Sequence, residues 1–350
     1  MRTVKIGVLG ATGMAGVEYV ELLANHPWFK ISCLTGKKSV GKKYGDAVKA
    51  LVNAPKEIAD IEIVEPDPKK VDADLVFSSL PSEVAREIET KFLEHGFRIV
   101  SETSAYRMEL DVPLIVPEIN PEHLDLIKIQ RKIRDGFIVT TPNCTAVGLA
   151  LSLKPILDSF GIRKVVVATY QAVTGAGFPG VPSFLILGNI IPYIKKEEEK
   201  VSSETKKILG RLDKDRVEYA RFPVEASCAR VPTIDGHLEA VYVETEKDVK
   251  VDEAVEVFRR FRGEPQKLNL PTAPREPILV TDIEDRPQPR LDVMSGTVPG
   301  MSIVVGRVRR GESSNTLKYF VLSHNRIRGA AGVAILTAEL LAVRGYLEGG

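Results

Sequence analysis

Long hydrophobic runs are missing from this chain. No stretch of its 350 residues approaches the roughly 18 apolar residues that a membrane span needs. The start, MRTVKIGVLG, is without the apolar segment of a secretory signal. Cysteine is scarce: Cys33, Cys144 and Cys228 are odd in number and far apart. They form neither a disulfide framework nor a zinc pattern, so no metal is expected and a reducing cytoplasm is the simple reading. An excess of either charge is also absent. Forty-eight basic residues stand against 47 acidic ones, a net charge of +1, which argues against nucleic acid held by bulk electrostatics. What is present is globular composition, 44% hydrophobic and 27% charged, in a chain longer than one core usually serves. The length predicts about two domains.

The first part alternates strand and helix. Lys5 to Leu9 is a short apolar run, Gly10 to Gly16 a glycine turn, and Val17 to Asn25 has helical spacing that Pro27 stops. Ile31–Leu34 resumes the sheet. A further unit follows with a strand over Ala73–Leu80, a helix over Ser82–His95 and a strand over Phe97–Val100. This order predicts an α/β fold with a mostly parallel sheet. From about residue 137 the pattern changes. Phe137–Thr141 leads through Pro142-Asn143-Cys144-Thr145 into an apolar helix over Ala146–Leu157. The β-rich runs 164–170, 238–245, 277–281 and 302–308 then predict a mixed sheet. Lys195–Lys207 is dense in charge and reads as a solvated helix face. An apolar helix is expected from Arg328 toward Leu347.

Gly10-x-x-Gly13-x-x-Gly16 lies after a strand and opens a helix, the place of a dinucleotide loop. There the glycines allow a tight turn, and the helix start offers amides to a pyrophosphate. The alternative is a plain βα turn. NAD-selective sites place a carboxylate about 20 residues on. Here Thr35-Gly36-Lys37-Lys38-Ser39 stands instead, with no acid until Asp46. Cations and hydroxyls suit the extra phosphate of NADP; the alternative is a basic solvated loop.

Cys144 sits at a strand-to-helix junction. The positive end of a helix favours thiolate, so this position suits a nucleophile for carbonyl or acyl chemistry. Cys33 and Cys228 read as packing residues. Of the histidines, His26, His95 and His123 read as surface or terminus residues, leaving His237 and His324 as candidate proton partners. Arg230 and His237 are seven residues apart, with Pro232 and Gly236 between them. That spacing leaves open whether they converge.

In order along nearly the whole chain come Gly10-Ala11-Thr12-Gly13, Ser104 to Met108 with Asp111 to Leu114, Pro142-Asn143-Cys144-Thr145, Gln171 to Gly177, Gly188 to Pro192, Arg230-Val231-Pro232 with Gly236-His237, and Asn325-x-x-Arg328-Gly329-Ala330-Ala331-Gly332. Together they resemble the aspartate-β-semialdehyde dehydrogenases, in the branch found in archaea and fungi. The resemblance implies a Rossmann-like NADP-binding domain over 1–143 and 326–350. An α+β catalytic and dimerisation domain with a mixed sheet would span 144–325. It further implies NADP(H)-dependent, phosphate-linked interconversion of L-aspartyl 4-phosphate and L-aspartate 4-semialdehyde in amino-acid biosynthesis, by a homodimer or homotetramer. Cys144 would be the nucleophile and His237 the acid and base, with Gln171 and Asn143 orienting thiol and carbonyl. Arg107 and Lys200 would bind phosphate, Arg230 the α-carboxylate and Glu197 the ammonium. The cofactor would meet Gly10, Thr12, Gly13, Met14, Ala15, Thr35, Lys38, Ser39, Gly175 and Asn325.

Three departures stand out. Glu102 falls where the family has asparagine and could pair with Arg107 or repel phosphate, Thr174 falls where serine is commoner, and Lys37-Lys38 replaces an acid–arginine pairing. The related malonyl-CoA reductases are the alternative enzyme, and an NADP-binding regulatory protein the alternative of another class.

Overall fold

The computed structural model describes residues 3–48 and 54–348. In the first part, β1 (Val4–Leu9), β2 (Phe29–Thr35), β3 (Ile63–Val64), β4 (Leu75–Ser78), β5 (Arg98–Ser101) and β6 (Phe137–Thr140) form a six-stranded sheet in the order β3-β2-β1-β4-β5-β6. Every pairing in it is parallel. Helices cover both faces, so β4 and β6 are buried at every position and β1 at all but one near its start. The strand order reverses between β1 and β4. At such a switch point the βα turns part and leave a crevice beyond the strand ends.

In the second part, β7 (Lys164–Gln171) is followed by a small hairpin of β8 (Arg211–Asp213) and β9 (Arg216–Glu218). Then come β10 (Val224–Arg230), β11 (His237–Glu244), β12 (Ile278–Thr281), β13 (Ile303–Arg310) and β14 (Thr316–Ser323). The main sheet runs β10-β7-β11-β14-β13-β12 with mixed directions. β10 and β14 lie outside the runs expected above. One face packs on the helix Cys144–Phe160, whose Leu149, Leu153 and Ile156 join Val167, Val241 and Val321 in one core. The opposite face leaves Val166, Tyr170 and Tyr242 exposed.

The C-terminal helix, Gly332–Val343, returns to the first sheet, where Ile335, Leu336 and Leu340 share a core with Ile6, Val8 and Phe77. It does not start at Arg328 as expected. A π-turn, Ile327–Ala331, precedes it, and there Gly329 lies so near the nucleophile candidate that a Cβ would stand 2.7 Å from Cys144 Cβ. No helix among the described residues is long and apolar enough to cross a membrane.

Two further expectations are corrected. The helix Glu197–Ile208 is no solvated rod: Glu197, Glu204 and Lys207 face inward and are buried, because each meets a polar partner inside (below). Nor is His123 a surface residue. It is fully buried, with Nδ1 2.9 Å from Asn120 Nδ2.

Candidate active site

Asn143 ends the strand side of the β6 turn and caps the helix that follows. Its Oδ1 accepts from Thr145 N–H at 3.0 Å and Ala146 N–H at 3.3 Å, so Cys144 occupies the first helical position. Cys144 Sγ lies 3.2 Å from His237 Nε2. On the other side of the ring, Nδ1 accepts from Ala172 N–H at 3.1 Å. An amide donor at Nδ1 places the proton of the neutral imidazole on Nε2, aimed at the sulfur. Burial first, then the Arg230 and His324 charges, push His237 down to about 3. The ring is therefore neutral here and presents its N–H to the sulfur.

The thiol differs from expectation too. Burial and the Glu197 carboxylate push Cys144 up to about 12, against the pull of Arg230, Arg107 and the helix start. The expected lowering at a helix N-terminus is outweighed because the sulfur is enclosed and an acid stands nearby. Cys33, at about 11, and Cys228, at about 12, are raised by burial.

Arg230 and His237 do converge. The order β10-β7-β11 sets the end of β7, with Gln171, between their strands. Arg230 Nη1 donates to Ala172 O at 2.7 Å. Gly175 passes over both: a Cβ there would lie 2.8 Å from Arg230 Nη1 and 3.2 Å from His237 Nε2. Gln171 is buried, and its Nε2 donates to Thr169 Oγ1 at 3.2 Å, along its own strand.

The helix Glu197–Ile208 supplies the opposite wall. Glu197 Oε1 accepts from Asn143 Nδ2 at 3.0 Å and Thr145 Oγ1 at 3.3 Å. Two turns on, Glu204 Oε1 accepts from Arg107 Nη1 at 3.0 Å while Oε2 accepts from Asn143 N–H at 2.6 Å. Lys207 Nζ donates to the carbonyls of Arg107, Glu109 and Val112 at 2.7, 2.7 and 2.9 Å. Burial lowers this lysine to about 8. Sequence reasoning missed Glu204 and Lys207. The signal available was the seven-residue repeat of Glu197 and Glu204, which puts both on one helix face. It also missed Glu239, two residues beyond His237, whose buried carboxyl oxygens bond no protein group and whose pKa burial and Glu197 raise well above the usual range.

Glu102 is reconciled with an anion site. Burial pushes its carboxyl up to about 8 against the pull of Arg107. The Tyr19 hydroxyl faces it, so it is largely neutral near pH 7, as an asparagine would be. Its backbone carbonyl accepts from Arg107 Nη2.

Of these groups Glu102, Arg107, Asn143, Cys144 and Gly175 border a cleft of about 380 Å³ that reaches Lys200 on one side and Gly13, Met14 and Ala15 on the other; His237, Arg230 and the buried carboxylates stand behind it. The residues at its far end fit a dinucleotide. Gly10 has φ +80°, and a Cβ on Gly16 would meet Gly10 O at 2.2 Å. The start of the helix Met14–Leu23 carries no side-chain cap, so its amides face the cleft mouth. Thr35 is buried beneath the loop, its Oγ1 3.4 Å from Gly10 N and its carbonyl accepting from Ala11 N–H at 2.9 Å. Lys37 and Lys38 are exposed and Ser39 half-buried in the turn after β2. That turn runs beside Thr12, whose Oγ1 would lie 3.8 Å from a Cβ on Gly36. Asn325 borders the cleft and ties its walls together, donating to Thr174 Oγ1 at 2.9 Å and accepting from Gly236 N–H at 2.8 Å.

Two family models match. Residues 5–127 match the semialdehyde dehydrogenase NAD binding domain and residues 153–328 the semialdehyde dehydrogenase dimerisation domain. The aspartate-semialdehyde dehydrogenase of Archaeoglobus fulgidus is 54% identical over 96% of this chain and 97% of that protein. The malonyl CoA reductase (NADP) of Metallosphaera sedula is 44% identical over 99% of each. The crystal structure of aspartate semialdehyde dehydrogenase with NADP from Candida albicans superposes with a TM-score of 0.91 at 39% identity, over 98% of this chain and 100% of that one. On these matches the chain belongs to the semialdehyde dehydrogenase family, among the archaeal and fungal aspartate-semialdehyde dehydrogenases.

Proposed function

We propose that the protein interconverts L-aspartyl 4-phosphate and L-aspartate 4-semialdehyde, with NADP(H) and phosphate, through a thioester on Cys144. The observation that carries this reading is a thiol 3.2 Å from an imidazole, between two buried arginines, at the inner end of a dinucleotide cradle. In the biosynthetic direction Cys144 Sγ bonds the acyl carbon and the C–O bond to phosphate breaks. The thiol proton leaves with the phosphate, so a thiol held at a high pKa suffices once the acyl phosphate is bound. Arg107 and Lys200 neutralise the departing phosphate, and Arg230 clamps the α-carboxylate. Glu197 uses Oε1 for Asn143 and Thr145 and offers Oε2 to the ammonium. His237 donates an Nε2–H hydrogen bond to the oxygen that becomes negative in each tetrahedral intermediate, and the thiolate released as the aldehyde carbonyl forms regains its proton from solvent in the cleft. Gln171 and Asn143 hold the surroundings of the thiol.

The cradle of Gly10, Thr12, Gly13, Met14 and Ala15 holds the pyrophosphate. Thr35, Lys38 and Ser39 hold the ribose phosphate, and Gly175 and Asn325 the nicotinamide end. When bound, the cofactor supplies or accepts the hydride. Residues 1–143 with 326–350 form the cofactor domain and 144–325 the catalytic domain, a division supported by the return of the C-terminal helix to the first sheet. The protein works as a homo-oligomer, a dimer or tetramer, in the cytoplasm. The dimerisation-domain match supports self-association, as do exposed Phe184, Leu187 and Tyr193.

The test is a paired assay: NADP reduction with aspartate semialdehyde and inorganic phosphate, and NADPH oxidation with malonyl-CoA. Phosphate-dependent NADP reduction supports the proposal. Turnover that needs coenzyme A and ignores phosphate would assign the chain to the reductase chemistry of its 44%-identical relative. Cofactor binding with neither turnover would make it a regulatory binding protein.

A further inference from the structure

A buried guanidinium needs a fixed counter-charge, and here the choice of counter-charge carries a consequence. Arg107 is 7% exposed and its ion pair is with Glu204, itself 2% exposed. The second oxygen of that carboxylate is not spent on solvent or on a neighbouring helical residue. It takes the peptide N–H of Asn143 at 2.6 Å, the residue that caps the Cys144 helix and immediately precedes the thiol. Arg107 belongs to the loop after β5, and Asn143 to the turn after β6. Glu204 stands on a helix of the other half of the chain, 97 residues from the first and 61 from the second. Lys207, one turn further, fixes the same loop through the carbonyls of Arg107, Glu109 and Val112. The guanidinium keeps Nε without a protein partner, and Arg107 borders the cleft.

We propose that Glu204 is a positioning residue for phosphate: one carboxylate sets the distance and angle between the phosphate-binding arginine and the start of the nucleophile's helix. This rests on the reading of Arg107 as the phosphate ligand. A mobile arginine would have to be ordered on each encounter, at a cost in affinity. An arginine held at Nη1 by the Glu204 carboxylate and at Nη2 by the Glu102 carbonyl keeps its guanidinium plane in a fixed orientation. Glu197 acts on Asn143 from the side-chain end and Glu204 from the peptide end. The single helix Glu197–Ile208 therefore registers nucleophile and phosphate site against each other.

The test compares Glu204→Gln, Glu204→Asp, Arg107→Ala and the double variant Arg107→Ala/Glu204→Gln, with inorganic phosphate as the varied substrate and NADP affinity as the control for folding. Glu204→Gln keeps the shape and loses the charge. It should raise the KM for phosphate about tenfold or more, the scale of one charge-assisted contact, with a smaller fall in kcat and unchanged NADP affinity. Glu204→Asp, which keeps the charge, should restore part of that loss. Glu204→Gln should add nothing in the Arg107→Ala background. An unchanged phosphate KM in Glu204→Gln would overturn the proposal. So would an equal further rise in the double variant, or a parallel loss of NADP affinity. If Arg107→Ala itself leaves the phosphate KM unchanged, the phosphate reading of Arg107 fails instead.

Discussion

The two ends of the cleft are built in opposite ways. The cofactor end is made of backbone. Gly10, Gly13 and Gly16 matter for what they lack, and the groups offered to the proposed cofactor are amides at a helix start and an exposed basic turn within 30 residues of it in the chain. The catalytic end is made of side chains from segments scattered over about 130 positions: Arg107, Cys144, Glu197, Glu204, Arg230 and His237. Each of these but Cys144 is buried. Loss of solvent shifts the Cys144 thiol to about 12 and His237 to about 3, and it raises the neighbouring Glu102 to about 8. A backbone cradle can form from local geometry alone. A cluster of desolvated side chains exists only once both sheets are packed.

The sharpest way to break this comparison is to remove chemistry from one end and ask whether the other responds. Cys144→Ala should lower turnover on the order of 10⁴-fold or more, the scale seen when a nucleophile is lost. His237→Asn should lower it about 10²–10³-fold, as expected for a lost donor to a developing oxyanion. In both variants NADP affinity by fluorescence titration should stay within about twofold of the parent protein. Steady-state kinetics and that titration together check the point. A large loss of cofactor affinity in either variant would mean the two ends are not separable.

The same contrast explains what could be read in the sequence. The parallel sheet and glycine loop were legible because strand, turn and helix follow one another within a few tens of residues. β10 was not: Val-Glu-Ala-Ser-Cys-Ala-Arg alternates weakly and is made a strand by pairing with β7 along its length. The resemblance proposes the types of the catalytic residues, but no resemblance or spacing gives their contacts. No spacing rule joins Cys144 to His237 across 93 residues or tells that Ala172 fixes the imidazole tautomer. The charged helix misled for a related reason. Periodicity alone reads a run of Glu and Lys as solvated, and only the arrival of Asn143 and the Arg107 loop turns Glu204 and Lys207 inward.

A middle-sized effect should come from the cofactor end. Lys37 and Lys38 stand where a carboxylate would select NAD, and both are exposed. Replacing both by alanine should weaken NADP binding about ten- to a hundredfold, the worth of one or two charge-assisted contacts. Binding of NAD, which lacks the 2′-phosphate, should hardly change. The ratio of the two dissociation constants, measured at one ionic strength because such contacts are screened, is the readout. Equal weakening of both cofactors would show that the turn shapes the cradle rather than reading the phosphate.

The smallest effect separates burial from chemistry. His237 is a neutral imidazole in the reacting cluster; His123 is equally buried and lies outside the cleft, its Nδ1 beside Asn120. Burial, the largest cause, pushes His123 from 6.5 down to about 4. Below about pH 6.5 an unfolded chain takes a proton on this ring that the folded chain refuses until about pH 4. The unfolded state therefore binds more protons across that window, and stability must fall as the pH falls through it. The full shift corresponds to on the order of 3 kcal/mol. His123→Gln keeps a polar group for Asn120 and removes the titration. Unfolding in urea at pH 7 and pH 4.5 should show a smaller acid loss for the variant than for the parent, by about 1–3 kcal/mol. Its pH–rate profile should stay unchanged between those values, because the histidine that touches the thiol is still in place. An acid loss as steep as the parent's would mean that His123 is protonated without cost in the folded protein.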